Sequence, residues 1–110
     1  MELNTEKIGD VAVVALQTEV LDAGNSEEFK ASIAPVLDEN PKVVFDMSRV
    51  RFLDSSGCGA LLSCLRRLNS LGGDLKLYGI QETVRKLFEL VRMFRIIEIY
   101  NTKEDAVGSF

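Results

Sequence analysis

Residues 52–68 read FLDSSGCGALLSCLRRL. Asp54, Ser55, Ser56, Gly57, Cys58 and Gly59 place one carboxylate, two hydroxyls and one thiol in six small positions, directly before a strongly apolar helical stretch. A core would hold bulk here, and a simple turn needs fewer residues. At a helix start, Asp54 or Ser55 can accept hydrogen bonds from the free backbone N–H groups of the first turn. Gly57 and Gly59 leave that turn bare, so another surface can approach its backbone. A helix N-terminus also favours an anion. A phosphate on Ser55 would therefore be tolerated, while adding about −1.5 to −2 charge beside Asp54. A partner fitted to the neutral hydroxyl would meet a bulky dianion. The same run is equally what an ordinary helix cap requires, and the residue types alone leave both uses open.

Other chemistries are excluded or unsupported. The chain has no histidine, so it cannot build a Ser-His-Asp or Cys-His triad from its own residues. The elbow pattern GxSxG and the phosphate loop GxxxxGK[ST] are both absent. Asp22, Asp46 and Asp54 lack the tight spacing of a metal site, and Asp46 reads as a satisfied polar group near a strand end. Cys58 and Cys64 have neither zinc nor thioredoxin-like spacing. On one helix they lie about 120° apart and read as small buried hydrophobes.

The elements that must position this run alternate along 110 residues, enough for one domain spanning 1–110. Leu3–Ile8 and Val11–Leu16 flank Gly9–Asp10 and read as a hairpin. Asn25 or Ser26 caps a helix carrying Phe29, Ile33, Val36 and Leu37, with a kink or break expected at Pro35. Lys42–Met47 reads as a buried strand and Ser48–Leu53 as a connection. Cys58, Leu61, Leu62, Leu65 and Leu68 form a helical stripe that stops at Gly72–Gly73. Leu75–Tyr78 is a strand, and Val84, Leu87, Phe88 and Val91 line the next helix. Ile96–Tyr100 is extended, and Thr102 caps a last helix with Ala106 and Val107. Strand–helix–strand units imply parallel strands with right-handed crossovers. The fold class is α/β, a sandwich whose mixed sheet joins an antiparallel hairpin to parallel strands, with about four helices. Ligands in such folds gather at the carboxyl edge of the strands. Two loops fall there, Leu21–Ser26 (LDAGNS) and Leu53–Gly59.

A net charge of −4 argues against a nucleic-acid module. Arg66–Arg67 and Arg85, Lys86, Arg92 and Arg95 are local basic groups, read as solvated helix faces or as partner contacts. No apolar run approaches a membrane span, and the N-terminus does not read as a signal peptide. Neither nucleic acid nor membrane is expected as a partner, and the expected location is cytoplasmic.

FLDSSGCGALL resembles the signature of STAS-domain anti-sigma factor antagonists, and the resemblance runs over nearly the whole chain. EVLDAGNSEEFK is similar to the family's first loop and helix, KVVFDMSRVRFLDSSG to the strand and loop before the signature, and GGDLKLYGI and VRKLFELVRMFRIIEIYNTKEDAV to the rest. The resemblance implies a non-enzymatic partner switch. The unphosphorylated antagonist binds an anti-sigma factor that is itself a serine kinase and so frees a sigma factor. Phosphorylation ends binding, and a PP2C-type phosphatase restores it. It implies Ser55 as the phosphorylated residue, and Asp22, Asp54, Ser55, Ser56, Gly57, Cys58 and Gly59 as the partner-binding set. No bound cofactor is implied, the Mg-ATP being the kinase's. Cys58 stands where the family usually has Leu, Glu19 where many members have Gly, and Gly24 adds flexibility to the first loop. The alternatives are a STAS adaptor in a non-sigma assembly (a scaffold, a chemotaxis-like or a lipid-transport complex) and a small-ligand module at the same edge.

Overall fold

A computed structural model describes residues 1–110. Gly9 sits at the turn of the first hairpin, which joins β1 (Leu3–Ile8) to β2 (Val11–Leu16) in antiparallel register from Leu3↔Leu16 to Ile8↔Val11. After β2 come β3 (Val20–Leu21), α1 (Ser26–Glu39), β4 (Lys42–Asp46), β5 (Phe52–Leu53), α2 (Ser55–Ser70), β6 (Asp74–Tyr78), α3 (Glu82–Leu90), β7 (Glu98–Tyr100) and α4 (Lys103–Gly108). The main sheet has the order β1-β2-β4-β6-β7, and every pairing beyond the hairpin is parallel. This is the mixed sheet expected from the alternating pattern.

Alternation along the strands divides the apolar residues between two layers. Ala12, Val14, Leu16, Val43, Phe45, Leu75 and Leu77 join Phe29, Ile33, Leu37, Leu61, Leu65, Leu68, Val84 and Phe88 from α1, α2 and α3 in the main core. Val11, Val13 and Val44 face the other way and meet Ala106 of α4. Three valine positions need only a short helix to cover them, and α4 has six residues, capped by Thr102 Oγ1 accepting from the Asp105 N–H at 3.1 Å. Lys76 is buried on this second side. Its ammonium donates to Glu98 at 2.7 Å and to the Ser109 carbonyl at 3.1 Å, and lies 4.6 Å from the Phe110 ring centre. No helix is long and apolar enough to cross a membrane.

Several local expectations are corrected. Proline does not break α1, which runs continuously to Glu39. Pro35 and Ala31, one turn earlier, are both exposed, so the carbonyl that loses its N–H partner is on the wet side of the helix. Asn25 does not cap α1 with its side chain; that side chain is used inside the preceding loop. The stretch Ser48–Leu53 is not all connection, because Phe52–Leu53 pairs with Val20–Leu21 as a second, two-stranded parallel sheet. Helix α3 ends at Leu90, leaving Val91 exposed, because Arg92 takes a left-handed conformation (φ 59°) and turns the chain into a 3₁₀ turn at Met93–Arg95. The strand expected from Ile96 starts only at Glu98.

The rings of Phe29 and Phe45 meet edge-to-face at 5.9 Å, fully buried where α1 crosses the sheet. Phe45→Ala removes that ring from a site walled by strand and helix. Urea unfolding should show a loss of about 3–5 kcal/mol with an unchanged m-value.

Candidate functional site

Both loops at the carboxyl edge begin with the same pattern, an apolar residue followed by Leu-Asp: Val20-Leu21-Asp22 and Phe52-Leu53-Asp54. The parallel register pairs Val20 with Phe52 and Leu21 with Leu53. Leu21 and Leu53 point into the core, and Val20 and Phe52 outward, Phe52 being 55% exposed. The backbone is continued on one side by Glu19, whose carbonyl accepts from the N–H groups of Arg51 (2.7 Å) and Phe52 (3.2 Å).

On the other side the two aspartates take different roles. The Asp54 carboxylate accepts from the Gly57 N–H with one oxygen (2.9 Å) and from the Ala23 N–H with the other (3.1 Å). One carboxylate thus caps α2 and ties it to the first loop. These bonds, led by that from Gly57, hold the Asp54 carboxyl below its usual range. Asp22 instead closes its own loop. Its side chain accepts from the Gly24 N–H at 2.9 Å, and its carbonyl accepts from Asn25 and Ser26. Asn25 completes the loop, its side chain accepting from the Asp22 N–H and donating to the Val20 carbonyl. Gly24 was expected to loosen this loop; its N–H is bonded within it. Asp46 accepts from the Ser48 N–H at 2.9 Å at the end of β4.

The remaining residues of the run divide between inside and outside. Gly57 is buried, and the opening expected there is absent. A Cβ at this position would stand 2.1 Å from the Leu21 carbonyl oxygen and 3.3 Å from the Leu53 side chain. Glycine is needed because α2 packs its first turn directly on β3. Cys58 is also buried in the main core, and burial, with the Asp54 charge second, raises its thiol pKa. Cys64 is pushed to about 12 by burial. Both are packing residues rather than thiolate nucleophiles. A Cβ on Gly59 would meet nothing within 4 Å, so this is the glycine that leaves α2 approachable. Ser55 is exposed and Ser56 half-buried. Neither hydroxyl is engaged within the protein, since the cap of α2 is made by Asp54. Sequence reading located all seven residues at one edge but missed the β3–β5 pair that registers them. Two-residue strands carry no periodicity; the repeated apolar-Leu-Asp tripeptide is the signal that marks them.

The two glycines should respond oppositely to the same change. Gly57→Ala forces a backbone clash and should lower the melting temperature by many degrees. Gly59→Ala, in open helical space, should be neutral or stabilising by about 0.5–1 kcal/mol; circular dichroism melts compare them directly. Asp54 gives a pH signature. Its folded pKa lies below the unfolded value of about 3.9, so its contribution is complete above that value and is lost as pH falls through the folded pKa. Asp54→Asn should reduce stability at neutral pH and flatten the fall below about pH 4 in acid-titrated melts.

The surroundings of this edge can be set beside known proteins. A family model described as the STAS domain matches residues 2–106. BtrV of Bordetella bronchiseptica, named as an anti-sigma factor antagonist, is 29% identical over 111 residues, covering 100% of this chain and 95% of that one. The solved structure of the anti-sigma factor antagonist SpoIIAA in its unphosphorylated form aligns with a TM-score of 0.77 at 25% identity, over 98% of this chain and 95% of that one. The same Bacillus protein in its phosphorylated form aligns at 0.69 and 24% identity, over 98% of each chain.

Proposed function

This chain belongs to the STAS domain family, and we propose that it acts as an anti-sigma factor antagonist switched by phosphorylation of Ser55. The observation that carries this reading is the division of labour at the start of α2. Asp54 and Gly57 hold the helix and first loop together through internal contacts. Ser55 stands between them in sequence, exposed and free of any structural bond. A phosphate there breaks no contact of the fold, and the positive end of the α2 dipole favours its charge. It changes the surface instead, beside a carboxylate that stays ionised through the physiological range.

The partner is an anti-sigma factor with serine kinase activity, and a PP2C-type phosphatase reverses the modification. Val20 and Phe52, side by side and exposed, supply the apolar anchor such a partner covers. Ser55, Ser56 and Gly59 supply the polar, close-approach part, and Asp22 borders it. Gly57 and Cys58 act from within, by setting the position of the helix. The dianion then weakens binding by electrostatics and bulk at the centre of this surface.

Ser55→Ala and Ser55→Asp, used as baits in the native cells, separate the switch from a constitutive adaptor. Both should melt within a few degrees of wild type. Ser55→Ala should retain the anti-sigma kinase and take no phosphate, and Ser55→Asp should hold it at least about tenfold more weakly. Equal recovery of the same partner on both baits would contradict the proposal.

A further inference from the structure

The most apolar exposed surface of the molecule is not at the switch. Leu90, Val91, Phe94 and Ile96 fall within seven residues, with Leu90 81% and Ile96 52% exposed. Met93 and Ile97, interleaved with them, are buried, so the segment is anchored and its remaining side chains are turned out. Cations surround them. Arg85 stacks 5.7 Å from the Phe94 ring centre, and Lys86, Arg92 and Arg95 are exposed. Between Arg85 and Ile96 there are four cations and one carboxylate, Glu89, in a chain of net charge −4. Asp10 and Glu98, which lie at the starts of β2 and β7, are each ion-paired, with Lys42 and Lys76.

Arg92 adds an independent observation. It is the one non-glycine residue with positive φ, at 59°. Glycine takes that conformation without strain and arginine does not. In sequence this exposed arginine falls between Leu90–Val91 and Phe94–Ile96, so the cluster carries a cation within it. The cluster is open to solvent, since Leu90, Val91, Phe94 and Ile96 are all exposed and none of them lines a cleft.

We infer that this turn is a docking knob for an anionic lipid surface. Its four exposed apolar side chains would enter the headgroup boundary while Lys86, Arg92 and Arg95 meet lipid phosphates. Charge complementarity selects this occupant. A second copy of the chain would bring the same cations face to face. A flat anionic surface instead suits a projecting knob with cations on both flanks. Such contact is peripheral and needs no membrane-crossing helix; it departs from the expectation of no membrane partner, which rested on the lack of a spanning apolar run. Helix α3 starts beside the switch, where Thr83 Oγ1 donates to the Arg51 carbonyl, and runs away toward the opposite edge of the sheet. Its nine residues separate the two surfaces by about 14 Å, so lipid and protein partner can be held together.

Co-sedimentation of the full chain with vesicles of phosphatidylcholine containing about one-third phosphatidylglycerol tests this. The protein should sediment with these vesicles and not with pure phosphatidylcholine, and binding should fall as salt rises. Leu90→Ser/Ile96→Ser should abolish it, and Arg92→Gln/Arg95→Gln should weaken it by about thirtyfold. Arg92→Gly separates binding from folding: it should melt no lower than wild type while binding less. No sedimentation with the anionic vesicles overturns the inference, and so does binding that these substitutions leave unchanged. An Arg92→Gly variant that binds normally but melts lower would give Arg92 a structural role and overturn it as well. None of these outcomes depends on Ser55, so they leave the switch reading intact.

Discussion

Everything at the carboxyl edge depends on the approach of α2 to the backbone of β3. The Leu21 carbonyl lies so close to the Cα of Gly57 that no side chain fits between them. The Asp54 carboxylate then spans the seam, with one oxygen on the helix and one on the first loop. The two contacts are mutually necessary. Without the glycine the helix could not come near enough for Asp54 to reach Ala23. Without the carboxylate, two sets of backbone N–H groups would face each other with no acceptor between them. The outcome is a helix start whose position is fixed from inside, leaving its outward hydroxyl uncommitted.

This separation bears on how a switch can work in so small a domain. If Ser55 capped α2, modifying it would remove a cap and loosen the helix. Here the cap is the neighbouring residue, so a phosphate on Ser55 would be felt first by whatever approaches the surface. The exposed Val20–Phe52 pair lies on the same two strands that set the seam. Apolar contact and charge control are therefore held in fixed register. The lipid-facing turn at the far end of α3 belongs to the same rigid frame but shares no residue with this edge.

The main elements were legible because they follow strong patterns. The hairpin, the buried strand from Lys42, and the helical stripe through Leu61, Leu65 and Leu68 all appear where periodicity put them. The seven candidate residues were legible as neighbours at one edge, six through the DSSGCG run and its resemblance, and Asp22 through the first loop. Their division into inner and outer was not. Gly57 and Gly59 look alike in sequence, and only the course of β3 makes one a packing contact and the other an opening. Pro35 misled because the cost of an interior proline depends on whether the freed carbonyl can reach water, which periodicity does not state. Arg92 misled because a left-handed arginine is rare, so a stripe running on to Val91 was the better local reading.

The measurement that bears most directly on this account maps phosphate in the native protein. Trypsin cuts after Arg51 and Arg66 and releases Phe52–Arg66 as one peptide containing Ser55, Ser56 and Ser63. Fragmentation of that peptide, isolated under phosphatase inhibition across growth and stress conditions, distinguishes the three hydroxyls. The account predicts phosphate on Ser55 in a fraction that varies with condition. Phosphate on Ser56 or Ser63 instead, or an unmodified peptide under every condition, would contradict it.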